Sequence, residues 1–198
     1  MRVLGIGASP RKGNSEALLD EALSAKHIQG EKVNLRKLKL NPCLSCGRCE
    51  KRPGCVFKDE ISALYDRLYD FEGIIFSSPV YFGSLAAQAK VFIDRAQFAW
   101  AGRHLMQRSR GVKAVLLVVA GMRNRPDFFR NAEEIFKIWC ICLGLEYRGG
   151  LYFPGVDAVG DLTADDRRRA REAVRLLLGG REGSPPSSVE VGEQPNSL

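Results

Sequence analysis

No apolar run in this sequence approaches the roughly 20 residues that a membrane-spanning helix needs. The longest, residues 114–120, has the length of a buried strand. The chain opens on strand-like residues, Arg2-Val3-Leu4-Gly5-Ile6-Gly7, with no secretory hydrophobic region or cleavage site before them. A cytoplasmic protein is the resulting expectation. There is no internal repeat. Histidine is scarce, with only His27 and His104, and neither belongs to a ligand pattern, so neither is given a role. No recognition helix or RNP-type motif accompanies the basic residues, which argues against a nucleic-acid partner.

The 198 residues suit one domain with a substantial core, and an apolar share of 45% argues against general disorder. The formal net charge is +7, with arginines concentrated at 103–110, 123–130 and 167–171. That balance fits a solvated basic surface, or an anionic ligand or acidic protein partner. Six cysteines in an apparently cytosolic chain point to metal or redox chemistry rather than a disulfide framework.

Short apolar runs alternate with helical stripes. The patterning predicts strands at 3–7, 32–38, 73–77, 113–120 and 146–153, and helices at 15–26, 60–69, 84–98, 126–142 and 163–178. Asp59 is placed to cap the second helix, Pro126 to start the fourth, and Thr163 with Asp166 to start the last. The organisation expected is a domain over 1–180 with a Cys-rich insertion at 41–58, then a disordered tail at 181–198 rich in Gly, Ser, Pro and Glu. Five strands alternating with five helices imply an α/β three-layer sandwich of the flavodoxin-like kind. Its five-stranded parallel sheet would be ordered 2-1-3-4-5, with helices on both faces. Ligands of such sheets bind beyond the carboxyl ends of the strands, which brings the loops after Gly7, Ser77 and Ala120 to one place.

The first loop, Gly7-Ala8-Ser9-Pro10-Arg11-Lys12-Gly13-Asn14-Ser15, lacks the third glycine of a Rossmann fingerprint and the Lys-Ser/Thr of a Walker loop. It offers hydroxyls, an amide, backbone N–H groups at a helix start and two cations, a set suited to a phosphate monoester. A polar turn with an Asn14 or Ser15 cap would look the same. The second loop, Ser77-Ser78-Pro79-Val80-Tyr81-Phe82-Gly83-Ser84, presents a rigid proline, two aromatics and a glycine that lets the backbone approach a flat ring. One loop for a phosphate and one for an aromatic plane describe an FMN site.

These two loops, with the later Phe92-Ile93-Asp94-Arg95, resemble the NADPH-dependent FMN reductase family over residues 1 to about 120. The cysteine stretch resembles that of the iron–sulfur flavoproteins within it. The resemblance implies that Ser9, Arg11, Gly13, Asn14 and Ser15 hold the FMN phosphate, and that Pro79, Val80, Tyr81, Phe82 and Gly83 line the flavin ring. The third loop, residues 121–125, departs from the expected glycine-rich form. Asp94 and Arg95 read as a helix-end or interface ion pair rather than a catalytic one.

Cys43, Cys46, Cys49 and Cys55 form C-x2-C-x2-C-x5-C. Three thiolates at three-residue steps suit one corner of a cubane, and the Pro53-Gly54 turn brings Cys55 back toward a fourth iron. A 4Fe-4S cluster, cysteines without a cluster and a zinc site all remain open on spacing alone, although paired zinc knuckles usually have a longer intervening loop. Cys140 and Cys142 lie in an apolar run and read as buried thiols. The flavin would carry the chemistry, with no catalytic side chain. Electrons would pass between a 4Fe-4S cluster and FMN to a small acceptor such as a quinone, oxygen or peroxide, with a ferredoxin-like donor. The alternatives are an NAD(P)H-dependent FMN or quinone reductase without a cluster, and a non-enzymatic redox sensor or electron carrier. Family resemblance also implies a homodimer or homotetramer, with Phe98, Trp100 and residues 103–110 as contacts.

Overall fold

Alternate residues along each central strand are buried on opposite sides of one sheet, and this alternation sets the layers. The computed structural model describes residues 1–104 and 111–179. Strands β1 (Arg2–Gly7), β2 (Gln29–Asn34), β3 (Gly73–Tyr81), β5 (Lys113–Ala120) and β6 (Glu146–Pro154) are all parallel. A two-residue strand, β4 (Ser84–Leu85), folds back antiparallel on β3. The order is β2-β1-β3-β5-β6 with β4 off the path, which is 2-1-3-4-5 for the parallel strands. The flavodoxin-like sandwich expected from the pattern is therefore the fold.

Leu4, Ile6, Ile74, Phe76, Leu116 and Val118 face a core shared with α3 (Glu60–Arg67), α4 (Ala87–Arg95), α5 (Gln97–Ala101) and α6 (Pro126–Leu143). The intervening Val3, Ile75, Val115, Leu117 and Val119 face the opposite core, under α1 (Asn14–Leu23) and α7 (Ala164–Leu178). On the first side Tyr65 stacks on Phe92 at 4.6 Å. Its hydroxyl donates to the Phe92 carbonyl and accepts from Trp139 Nε1, so this buried phenol has partners on both sides.

The anticipated caps are present. Asp59 Oδ1 accepts from the Ser62 N–H. Thr163 and Asp166 form a reciprocal capping box, and Pro126 occupies the first turn of α6. Three boundaries differ from the pattern-based expectation. Strand β2 lies at Gln29–Asn34 rather than 32–38, because its register follows β1 from Arg2↔Gln29 to Gly7↔Asn34, and a 3-10 turn then buries Leu35. Strand β3 continues to Tyr81 and carries Pro79. The missing N–H is tolerated because the pairing of β3 with β1 ends at Ser77. The helix expected from 84 begins at Ala87, since Ser84 and Leu85 close the hairpin. The Cys-rich stretch also contains a short helix, α2 (Arg48–Lys51). Among the described residues no helix is long and apolar enough to cross a membrane. The anticipated tail at 181–198, and residues 105–110 of the basic connection, lie outside the described residues.

Candidate functional site

The loop between β1 and α1 begins where the sheet is most constrained. Gly7 has no side chain because Asn34 Oδ1 occupies the place: a Cβ there would come within 2.4 Å of it. The Ala8 N–H then extends the β1–β3 ladder to the Ser77 carbonyl at 2.8 Å. Buried Ser9 Oγ accepts from the Arg11 N–H at 3.3 Å. At the start of α1 the cap residue is Gly13, which has no side chain to offer, so the first-turn N–H groups have no capping acceptor. Such a helix start is a ready anion site. Glu16, in that first turn, would repel an anion. Its burial opposes ionisation, yet Lys32, Arg36 and Asn34 hold its carboxyl below the usual range and neutralise it from the β2 side.

Two expected phosphate ligands are partly occupied by a segment that the sequence did not single out. The Asn14 amide donates to the Ala158 carbonyl at 2.7 Å and accepts from the Gly160 N–H at 3.2 Å. Arg11 Nη2 donates to the Asp157 carbonyl at 3.2 Å. The loop after β6 thus braces the loop after β1. Ser15 is buried, and its carbonyl accepts from Ser77 Oγ at 2.6 Å, which ties the two neighbouring strand ends together.

The second expected loop is a tight hairpin. Val80 pairs with Leu85 and Tyr81 with Ser84, leaving Phe82 and Gly83 as the two-residue turn. Both have positive φ, 50° and 73°, as a type I′ hairpin turn demands. Glycine adopts that conformation without penalty; phenylalanine does not. The Phe82 side chain is fully exposed and Tyr81 is also exposed, whereas Pro79 and Leu85 anchor the turn to the buried end of β3. A Cβ on Gly83 would lie 3.1 Å from the Phe128 ring, which in turn carries the Arg125 guanidinium at 4.1 Å. The bulky third loop therefore packs its arginine along the start of α6, paired with Asp127 at 2.7 Å.

The four clustered cysteines are free and lie on one curled segment between Asn41 and Asp59. Ser45, Gly47 and Gly54 have positive φ, which bends the chain between successive thiols. The Ser45 N–H donates to Cys43 Sγ at 3.4 Å. The Cys49 thiol faces the Gln97 carbonyl at 4.0 Å, and its backbone carbonyl packs on Gly102 so closely that a Cβ there would be 2.7 Å away. Burial pushes the Cys49 thiol up, and the neighbouring Cys43, Cys46 and Cys55 push it further in the same direction.

Among the described residues no three His, Cys, Asp or Glu side chains close around a point suited to one metal ion. Four free thiols on one segment, with a backbone N–H turned to one sulfur, are donors of the kind that an iron–sulfur cluster would take.

Beneath this segment, Arg95 pairs not with Asp94 but with Asp59, at 2.8 and 3.0 Å, while Asp94 pairs with Lys90 at 2.6 Å. Arg95 lies three residues after buried Phe92, on the buried stripe of α4 that also holds Ala89. That position was the available signal for a buried charge. Its hydrogen bonds hold the Asp59 carboxyl well below the usual carboxylate range.

Comparison with known proteins agrees with this geometry. The family model described as NADPH-dependent FMN reductase matches residues 1–128. An iron-sulfur flavoprotein of Methanocaldococcus jannaschii is 37% identical over 119 residues, covering 58% of this chain and 62% of that protein. An iron-sulfur flavoprotein of Archaeoglobus fulgidus is 32% identical over 145 residues, covering 71% of this chain and 64% of its own length. The chain thus spans less than two thirds of these curated relatives. Among solved structures, an NAD(P)H:quinone oxidoreductase from Methanothermobacter marburgensis superposes with a TM-score of 0.69 at 18% identity, over 93% of this chain and 99% of that one. At that identity the likeness shows the fold.

Proposed function

Since the chain belongs to the NADPH-dependent FMN reductase family, we propose that it is an FMN-dependent oxidoreductase that passes electrons between a 4Fe-4S cluster and FMN to a small acceptor. The observation that carries this reading is the junction of β1 and β3. An uncapped helix start with Ser9, Arg11, Gly13, Asn14 and Ser15 lies one strand from a turn of Pro79, Val80, Tyr81, Phe82 and Gly83, bonded to it through Ser77 and Ser15. The first element suits a doubly charged phosphate and the second a flat ring. The loop after β6 holds Asn14 and Arg11 in place, so their remaining donors need no reordering when an anion arrives.

Bound there, FMN would supply the exchange between one-electron and two-electron chemistry, and a cluster on Cys43, Cys46, Cys49 and Cys55 within the 41–58 insertion would supply a single-electron relay. The chain's residues bind, orient and shield, and none acts as acid or base. Over a full turnover two electrons and two protons convert a quinone into its hydroquinone, the electrons coming from a ferredoxin-like donor. The net charge of +7 favours docking of such an acidic protein. Exposed Trp100, Met122 and Phe82 support a homodimer or homotetramer. A cytoplasmic location accords with free thiols at the cysteine segment.

A second reading is an NAD(P)H-dependent FMN or quinone reductase in which the cysteines hold no cluster. The exposure of Tyr81 and Phe82 favours it, because an open ring face would admit a nicotinamide. Anaerobic purification with flavin and iron analysis tests both. One FMN and about four irons per chain, the count a 4Fe-4S centre requires, support the first reading. A yellow, iron-free protein that oxidises NADPH supports the second. A protein that takes up no FMN refutes both.

A further inference from the structure

Beyond β6 the chain turns back to the first loop. The Val156 N–H donates to the Ala120 carbonyl at 3.0 Å, and buried Val156 and Leu162 pin the two ends of residues 157–161. Between them Asp161 organises the backbone. Its Oδ2 accepts from the Asp157 N–H at 2.9 Å and from the Ala158 N–H at 2.7 Å. Its own N–H donates to the Ala158 carbonyl at 3.2 Å. Gly160 has φ 104°, which residues with a Cβ rarely adopt, yet a Cβ there would meet nothing within 4 Å. Conformation, not crowding, calls for glycine at this position.

The groups that this turn presents outward are those that meet the first loop. Three of its N–H groups are used internally, which leaves the Asp157 and Ala158 carbonyls and the Gly160 N–H to bond Arg11 and Asn14. Asn14 is buried, and the turn engages both ends of its amide. Asp161 therefore touches neither Arg11 nor Asn14 but sets the shape of everything that holds them. Its charge works the other way. A carboxylate on a turn bonded to the phosphate end repels an anion, so the hydrogen bonds of Asp161 and its charge have opposite effects on a phosphate.

We propose that Asp161 is a positioning residue that makes the site select a phosphorylated flavin over an unphosphorylated one, by shaping the turn that fixes Arg11 and Asn14. This rests on the FMN reading above. Residues 157–161 lie beyond the family match, which ends at residue 128, so the selection would be this chain's own addition to the shared loop.

The test uses the full chain, freed of flavin and titrated with FMN and with riboflavin, which differ only in the phosphate. Where riboflavin binds too weakly for direct titration, its competition with FMN is measured. Asp161→Ala removes acceptor and charge. Asp161→Asn removes the charge and keeps an acceptor oxygen, and Gly160→Ala disturbs the same turn through its backbone. Asp161→Ala and Gly160→Ala should weaken FMN binding by roughly 3- to 10-fold, the scale of one net hydrogen bond, and leave riboflavin binding unchanged. Asp161→Asn should bind FMN at least as tightly as the parent. A turn that merely closes the fold would alter both flavins alike, so an unchanged ratio of the two affinities in Asp161→Ala overturns the assignment. Tighter FMN binding by Asp161→Ala, or loss of both flavins from Asp161→Ala and Gly160→Ala, overturns it equally. So does an Asp161→Asn variant as weak as Asp161→Ala. A parent that binds both flavins alike overturns this assignment and leaves the flavin site standing; a parent that takes up neither overturns the FMN reading itself.

Discussion

Replacing Phe82 with glycine should stabilise the flavin-free protein while weakening its hold on FMN. Phe82 has φ 50° at the tip of the β3–β4 hairpin, and its side chain is fully exposed. A left-handed backbone costs a residue with a Cβ about 1–2 kcal/mol. Glycine removes that cost but adds about 0.4–1 kcal/mol of unfolded-state entropy to be lost on folding. No buried area is given up, so the net gain is about 0.5–1 kcal/mol. For a chain of this size that raises Tm by about 1–4 °C. Phe82→Ala keeps the Cβ and the strain, and should melt with the parent. The lost ring contact, worth about 0.5–1.5 kcal/mol, weakens FMN binding by roughly 2- to 13-fold in both variants. Thermal unfolding of the flavin-free proteins and fluorescence titration with FMN provide the two readouts. Coincident melting of the glycine and alanine variants would refute the idea that the turn stores strain. Unchanged FMN affinity would remove Phe82 from the ring site.

Asn14→Ala combined with Ser15→Ala is expected to lower FMN affinity at least tenfold, since each charge-assisted hydrogen bond contributes about 1.5–3 kcal/mol; equilibrium titration checks it. Cys49→Ser should abolish bound iron and leave FMN in place, as measured by metal and flavin analysis of the same sample. Gly7→Ala forces a Cβ within 2.4 Å of Asn34 Oδ1 and should destabilise the fold by about 1–3 kcal/mol in denaturant unfolding. Asp59→Asn should cost about 3 kcal/mol at neutral pH by leaving Arg95 without its counter-charge. Because Arg95 depresses the folded-state pKa of Asp59, that contribution is complete above the unfolded value near 3.9 and fades as pH falls below it. The gap between parent and variant in acid unfolding should therefore hold down to about pH 4 and close below it.

The layers of this fold were legible because burial writes its period directly into the strands, as in residues 113–120, and because Asp59, Pro126 and Thr163 punctuate helices chemically. Register was less legible. Nothing local to residues 29–34 marks them as a strand; their partner β1 does. Ser84 and Leu85 carry no signal against a helix, and only the left-handed pair before them turns the chain back. The two loops expected to hold FMN were read from residue type; they lie at the ends of neighbouring strands, joined by the Ser77–Ser15 bond. The bracing of Asn14 by Ala158 and Gly160 joins residues more than 140 positions apart, and the Asp59–Arg95 pair joins residues 36 apart. Such contacts depend on crossover geometry, which no short window of sequence contains.

Helix α4 leaves the β3–β4 hairpin at Ala87 and ends under the cysteine segment at Arg95. Nine residues at 1.5 Å each make a spacer of about 13 Å. The separation between the β3–β4 hairpin and the base of the cysteine segment is therefore written into helix length rather than loop conformation. An insertion of one residue in α4 would swing Arg95 by about 100° off its carboxylate while the hairpin stayed put. The hairpin and the base of the cysteine segment are geared to a single rigid part, and neither can be re-sited without disturbing the other.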